Sequence, residues 1–321
     1  MHYHCISRVV DRNFVFGAHE RDVFRKTMRQ METFSGVRVL TWTILSNHFH
    51  LLLLVPPPPE DDLSDEEILE RCRAIYTPAA MQKIEWEFGD ARRAGGDAIE
   101  RLRQRYLKRM WDLSEFMKTL KQKFTTWFNR KHGRVGVLWE SRFKSVVVEG
   151  HWSSLLKVAA YIDLNPVRAG LADDPKDYPW CGYSEAVAGN RDARRGLSAV
   201  LASLKSGANW GDLAPRYRKL LFGVGEENST RRGLSREAVA EVWAAGGKLS
   251  PAQLLHCRIR YFSDGLAVGR GTFIESVFAA ARQAFTQART TGARRMRGGD
   301  WEEMRAARDL RVRPIEIDPP P

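Results

Sequence analysis

The chain has 321 residues, enough for one large or two ordinary domains, and its 43% apolar content with 10 Trp and 15 Phe can build a hydrophobic core. Its 51 Lys and Arg against 39 Asp and Glu give a formal net charge of +12, which is typical of proteins that bind a phosphate backbone. Four widely spread cysteines and the lack of any long apolar run argue against a disulfide framework, secretion and a membrane span. We therefore expect a cytoplasmic, nucleoid-associated protein with nucleic acid as its partner.

The first 55 residues show the order strand, helix, strand. Alternation from Tyr3 to Val10 predicts a half-buried strand, and the spacing of apolar residues from Glu20 to Thr33 predicts a helix. Two β-rich runs follow between Val37 and Val55, and the prolines at 56–59 end the second run.

Two histidines one residue apart, His48 and His50, lie in the second of these runs. Side chains at i and i+2 of a strand point to the same face, so both imidazoles can reach one divalent metal. A histidine in an apolar strand is also common as a core or surface residue. A catalytic metal needs a third ligand, and no second His or Cys pair with finger-like spacing exists in the sequence. The third ligand is therefore expected among Asn, Gln, Asp or Glu elsewhere.

A charged, Ala-containing stretch at about 60–110 predicts a helical insertion, and a helix with an aromatic stripe is predicted from Leu113 to Arg130. A last strand is predicted from Val137 to Val148. Residues 118–157 hold nine Lys or Arg and two acids, interleaved with Phe and Trp, a pattern that suits single-stranded nucleic acid. The alternative is that the aromatic residues are core and only the cations face solvent. The candidate nucleic-acid-binding residues are Lys121, Lys123, Arg130, Lys131, Arg134, Trp139, Arg142, Lys144 and, further along, Arg168.

A helix predicted from Ser153 to Leu164, ended by Pro166, carries Tyr161 and leads to Asn165. The two residues stand at i and i+4, so a tyrosine and an amide can enter one site together. The alternative is that Tyr161 packs in the core and Asn165 caps the helix end.

Residues 191–235 are rich in Gly, Ser, Ala and Arg and predict a linker with one short helical element. Residues 236–321 predict a mainly helical region, with cap-like Ser235 and Thr272 opening two of its helices. A helix, turn and helix here fit a DNA-binding element and a small bundle equally well.

Three parts of the sequence together resemble the single-tyrosine (HUH) transposase superfamily, IS200-like, and most closely the REP-associated tyrosine transposases. They are Tyr3–Arg8, Ser46–Leu52, and the pair formed by Leu138–Lys144 and Tyr161–Gly170. The likeness covers roughly residues 1–185, apart from the insertion. It implies a catalytic domain at 1–190 with a ferredoxin-like α+β core, in which helices pack on a central antiparallel sheet.

The resemblance also implies the roles of the site residues. His48, His50 and Asn165 would bind Mg²⁺ or Mn²⁺, and Tyr161 would be the nucleophile. The implied activity is a metal-dependent single-strand DNA endonuclease and strand transferase that cuts beside DNA hairpins through a 5′-phosphotyrosine intermediate.

Other functions stay open at this point. One is a domesticated hairpin-DNA-binding protein without cleavage activity. A phosphohydrolase that uses a metal-bound water is disfavoured, because it needs no tyrosine. A homodimer with sites shared between subunits is also open.

Overall fold

The computed structural model describes residues 1–201, 209–222, 254–256, 259–297 and 301–308, which form an α+β fold. The predicted cap at Ser235 lies outside these ranges. The helices are α1 (Ala18–Ser35), α2 (Asp65–Arg73), α3 (Pro78–Ala94), α4 (Ala98–Leu107), α5 (Leu113–Lys131), α6 (Trp152–Asp163), α7 (Asn165–Arg168), α8 (Gly182–Val187), α9 (Arg191–Leu201), α10 (Trp210–Phe222) and α11 (Gly271–Ala280). The strands are β1 (His2–Arg8), β2 (Arg38–Ile44), β3 (His48–Leu54), β4 (Lys144–Val148), β5 (Ala267–Arg270), β6 (Arg294–Arg295) and β7 (Met304–Ala307).

The first four strands have the topology of a ferredoxin-like core. In chain order, β1, α1, β2, β3, α5 and β4 follow the βαββαβ pattern, and the strands lie side by side in the order β2-β3-β1-β4. β1 and β4 pair antiparallel, with His4 opposite Val146. The predicted fold class is confirmed.

Three short strands from the C-terminal region extend this sheet to the order β2-β3-β1-β4-β5-β7-β6. β5 pairs with β4 in parallel, with Val147 opposite Ala267, whereas β7 pairs antiparallel with β5 and β6. The sheet is therefore mixed. Strands of two to four residues are too short to show a readable alternation, which is why the sequence did not predict them.

Two further segments differ from the predicted elements. The strand predicted from Val137 is regular only over β4, and an isolated bridge between Trp139 and Val9 precedes it. The stretch predicted as a linker holds α9 and α10, each of which buries an apolar stripe that includes Leu197 or Leu213. The other predicted helix opening, at Thr272, falls one residue inside α11.

The chain forms two compact units. The first comprises the described parts of 1–15, 40–53 and 139–321, and so holds most of the sheet together with α6–α11. The second comprises 16–39 and 54–138, and holds α1–α5. The predicted helical insertion lies in the second unit as α2, α3 and α4. None of the helices in the described ranges has both the length and the apolar composition needed to cross a lipid bilayer.

Local sequence signals explain the helix ends of the second unit. α2 begins at a capping box, because Ser64 Oγ accepts from the Glu67 N–H while the Glu67 carboxylate accepts from the Ser64 N–H. α1 ends at Gly36, whose φ of 73° lies in the left-handed region that favours glycine. Phe24, Phe34 and Phe116 fill the interior of this unit.

Candidate active site

The structure brings the two histidines of the predicted metal pair together. β3 begins at His48, immediately after a turn closed by a 2.8 Å hydrogen bond from the Leu45 N–H to the His48 carbonyl. Because His48 and His50 are two residues apart on a strand, their side chains share a face, and their ring centroids lie 5.2 Å apart. His50 is buried and His48 is half-buried.

The imidazole of His48 is oriented by its neighbour Asn47. Asn47 Nδ2 donates to the Arg12 carbonyl at 2.9 Å, which turns the amide oxygen toward His48 Nδ1 at 2.7 Å. An amide oxygen only accepts, so Nδ1 of His48 carries a proton and Nε2 is the ring nitrogen left for a metal. The carbonyl of Arg12 is presented by a strained turn, in which Asp11 and Arg12 have φ values of 54° and 57°.

The imidazole of His50 meets a third histidine, His4 on β1. His4 Nε2 and His50 Nδ1 are 2.9 Å apart, and the two rings stack with centroids 5.2 Å apart. The other nitrogen of His4, Nδ1, lies 2.6 Å from the carbonyl oxygen of Phe262. No role was predicted for His4, which lies within the Tyr3–Arg8 motif.

Burial keeps both of these imidazoles neutral near pH 7. The fully buried position of His4 lowers its pKa to about 4, chiefly because burial disfavours the charged ring. Burial likewise holds the pKa of His50 well below its ordinary value, and the neighbouring His4, His48 and Arg168 lower it further. Neutral imidazole is the form that binds metals.

Tyr161 lies near the end of α6, against this pair of rings. Its ring centroid is 6.2 Å from that of His4 and 6.4 Å from that of His50, both edge to face, and 5.2 Å from that of Phe262. The tyrosine exposes only 3% of its surface. The structure therefore places Tyr161, the predicted nucleophile, against His50 on β3. It also packs Tyr161 as a core residue.

Asn165 follows one turn later and is itself buried. Its Nδ2 donates to the carbonyls of Tyr161 at 3.3 Å and of Ile162 at 3.1 Å, which caps the end of α6. The alternative role predicted for Asn165, as a cap of the helix end, is therefore present in the structure. Because the amide nitrogen is occupied, Oδ1 is the atom that a metal would use.

Arg168 lies over the ring of Tyr161, although it was predicted to contact nucleic acid. Its guanidinium carbon is 4.0 Å from the ring centroid. The guanidinium also donates to the carbonyl of Leu255 at 2.5 Å and to the carbonyl of Tyr161. These contacts hold Arg168 against the protein at the Tyr161 ring.

A buried carboxyl anchors α6 between Tyr161 and Asn165. Asp163 is fully buried and accepts hydrogen bonds from Thr41 Oγ1 at 2.7 Å and from the Tyr217 hydroxyl at 2.5 Å. Burial raises the pKa of Asp163 to about 7. No role was predicted for Asp163 from the sequence, where its signal was that it is the single acidic residue of α6.

The candidate nucleic-acid contacts differ in accessibility. Lys121 exposes 9% of its surface, and Lys123 donates to the Ile75 carbonyl at 2.6 Å. Trp139 is half-buried, with its ring edge to face with Phe49 at 5.5 Å. The exposed members of the set are Arg130, Lys131, Arg134, Arg142 and Lys144.

The donor set fits a metal only if an amide takes part. Within the described ranges, no group of three or more His, Cys, Asp or Glu side chains is placed to hold an ion. The imidazole nitrogens of His48 and His50 and the amide oxygen of Asn165 are ligand types that a divalent cation accepts without any carboxylate.

Residues 1–64 match the family model described as "Transposase IS200 like". The resemblance to IS200-like transposases is confirmed. The matched stretch contains β1 to β3 with His4, His48 and His50, and it ends before Tyr161 and Asn165.

Solved structures and curated proteins add little to this match. A REP-associated tyrosine transposase bound to a REP hairpin is similar with 15% sequence identity and a TM-score of 0.34, over 59% of this chain and 79% of that chain. A TM-score of this size carries no argument. No curated protein matches the chain.

Proposed function

We propose that this protein is a metal-dependent transposase that nicks and rejoins single-stranded DNA beside hairpins, with Tyr161 as its nucleophile. The observation that carries the proposal is the ring contact between Tyr161 and His50, with His48 on the same strand face and Asn165 one helical turn beyond the tyrosine. The family match over β1 to β3 supports it independently.

The proposed step is a transesterification. The phenol oxygen of Tyr161 bonds to the scissile phosphorus, the bond from phosphorus to the 3′ oxygen breaks, and the phenol proton is lost as the departing 3′ oxygen gains one. The products are a 5′-phosphotyrosine and a free 3′-OH. Because the phosphodiester energy is kept in the tyrosine linkage, a 3′-OH can reverse the step and join strands.

His48, His50 and Asn165 would hold the Mg²⁺ or Mn²⁺. The ion would polarise the scissile phosphate and stabilise its developing negative charge, and neutral ligands leave the full charge of the ion available for this. A free tyrosine has a pKa of about 10 and is a poor nucleophile near pH 7. The guanidinium of Arg168, over the ring, adds positive charge beside the phenol.

DNA would be held by cations and aromatic faces. The exposed candidates Arg130, Lys131, Arg134, Arg142 and Lys144 suit phosphate contacts, and Trp139 offers a ring to an unpaired base. Single-stranded DNA is favoured over duplex, because the tyrosine must approach a strongly bent strand.

The test uses a radiolabelled hairpin oligonucleotide with a single-stranded flank, with Mg²⁺ or Mn²⁺, and scores the covalent protein–DNA adduct on a denaturing gel. Tyr161→Phe should abolish the adduct, since it removes the attacking oxygen, while the Kd for the hairpin stays the same. Tyr183→Phe, another buried tyrosine of the same unit, is the matched control and should still form the adduct. An undiminished adduct in Tyr161→Phe would exclude Tyr161 as the nucleophile.

The burial of Tyr161 favours a second candidate, a hairpin-DNA-binding protein that does not cleave. With 3% of its surface exposed, the phenol can meet a phosphate only after the groups that cover it move. The second candidate predicts hairpin binding with no cleavage product in either metal on any hairpin with a single-stranded flank.

A further inference from the structure

We propose that His4 is a positioning residue that fixes the tautomer of His50, so that the Nε2 lone pair of His50 is available to the metal. The proposal deepens the function proposed above and rests on it for its consequence. Its structural basis is a chain of two hydrogen bonds that runs from the Phe262 carbonyl through His4 to His50.

The chain has a fixed direction, because one of its ends can only accept. The carbonyl oxygen of Phe262 has no proton, so at 2.6 Å the His4 Nδ1 must be the donor. His4 is fully buried, and its ring is hydrogen-bonded within the described ranges to a carbonyl and an imidazole rather than to a carboxylate, so burial disfavours a second proton on this ring. A neutral ring with its proton on Nδ1 carries a lone pair on Nε2.

That lone pair determines which nitrogen of His50 carries the proton. His4 Nε2 can only accept, so His50 Nδ1, 2.9 Å away, must be the donor. The proton of His50 is then on Nδ1 and its lone pair is on Nε2. Both rings are on adjacent strands of one unit, and they stack with an interplanar angle of 25°, which also limits rotation of the His50 ring.

His4 thereby does for His50 what Asn47 does for His48. In both cases the Nδ1 proton is donated to a neighbouring acceptor, and that acceptor is in turn fixed by a backbone carbonyl, of Phe262 or of Arg12. Partners of this kind orient a metal-binding imidazole and typically change metal affinity by about 10- to 100-fold when they are removed.

A purely structural role for His4 makes different predictions. If His4 only fills space, an apolar ring of similar size should preserve metal binding, and the tautomer of His50 should not depend on residue 4. Substitutions that keep or remove the hydrogen bonds separate the two roles. His4→Gln keeps one donor and one acceptor, whereas His4→Phe keeps the volume and loses both.

The experiment measures metal binding and tautomer without DNA. Mn²⁺ affinity is determined by titration calorimetry on the full chain, and the ring nitrogens are observed by NMR on histidine-¹⁵N-labelled protein without metal, with His50→Gln used to assign His50. We expect wild-type His50 to carry its proton on Nδ1. His4→Phe should weaken Mn²⁺ binding by about 10- to 100-fold and give a mixture of His50 tautomers.

Two further variants serve as controls. His4→Gln should restore most of the affinity and the Nδ1–H form. His2→Phe makes the same change two residues earlier on β1, where the ring lies beside Gly150, and should leave both readouts unchanged.

The outcomes separate this assignment from the proposed function. A proton on Nε2 of His50 in the wild-type protein would overturn the role of His4, and this measurement also decides the matter if His4→Phe does not fold. Wild-type Mn²⁺ affinity in a folded His4→Phe variant would overturn it as well. A wild-type protein that binds no Mn²⁺ would instead refute the metal-dependent function, while the His50 spectrum would still decide the tautomer.

Discussion

Two regions of the chain differ in burial and in charge. The ring cluster of the first unit, formed by His4, His48, His50 and Tyr161, is largely buried and fixed by hydrogen bonds and ring contacts. The basic segment of the second unit, formed by Arg130, Lys131 and Arg134, is charged and exposed. The ring cluster is suited to one reaction geometry, and the basic segment to any phosphate that approaches it.

The contrast predicts that the geometry of the reaction depends on the ring cluster, whereas the affinity for DNA depends on the basic segment. A change in the ring cluster should affect metal binding and chemistry with little effect on salt-dependent DNA affinity. A change in the basic segment should do the reverse.

The largest effect is expected at Asp163, which supports the helix that carries Tyr161. Asp163→Ala leaves the hydroxyls of Thr41 and Tyr217 buried without their acceptor, and should lower the free energy of unfolding by about 3 kcal/mol. Urea unfolding followed by circular dichroism measures this. Asp163→Asn keeps an acceptor and is the matched control, with a smaller expected loss. Equal stability of the Ala variant and the wild-type protein would show that the carboxyl does not anchor α6.

A smaller effect, on DNA affinity alone, is expected from the basic segment. Replacing Arg130, Lys131 and Arg134 together by Gln should lower the slope of log K against log salt by about 2 for single-stranded DNA, since each phosphate contact contributes about 0.7. Fluorescence anisotropy at several salt concentrations measures the slope.

The control for this triple variant is a second set of exposed cations in the same unit. Lys83, Arg93 and Arg101 lie on α3 and α4 and form ion pairs on the surface. Their replacement by Gln should leave the salt slope unchanged. An equal loss in both variants would mean that only net charge matters and that the basic segment is not a specific contact.

The smallest effect is expected at Lys121, a cation of α5 that is buried rather than exposed. Burial lowers its pKa to about 8, so the folded state disfavours the ammonium, and this cost is complete below pH 8 and disappears as the pH rises toward the unfolded value near 10.5. Lys121→Met should therefore raise the free energy of unfolding at pH 7 by about 1 kcal/mol.

Unfolding in urea at pH 7 and at high pH measures this difference, which should shrink at high pH. DNA affinity should stay close to that of the wild-type protein, in contrast to the triple variant. A loss of DNA affinity as large as that of the triple variant would place Lys121 among the DNA contacts after all.

Local spacing predicted the parts of the site that depend on local geometry. The shared face of His48 and His50 follows from the two-residue period of a strand, and the proximity of Tyr161 and Asn165 follows from the helical turn. The core order of strands and helices was also predicted.

The parts that depend on distant partners were not predicted. His4 acquires its role only through Phe262, and Asp163 only through Thr41 and Tyr217, and no periodicity in the sequence indicates such pairs. Likewise, the contact of Arg168 with the Tyr161 ring could not be told apart from a phosphate contact by charge alone.

The hydrogen bond between His4 and the Phe262 carbonyl joins residues 258 positions apart in the chain. During synthesis the first strands leave the ribosome long before Phe262 does, so they can pair while His4 still lacks its acceptor. If His4 orients His50 as proposed, that orientation is completed only after Phe262 has emerged. A chain that ends before Phe262 can therefore have the first strands of the sheet without the acceptor that holds His4.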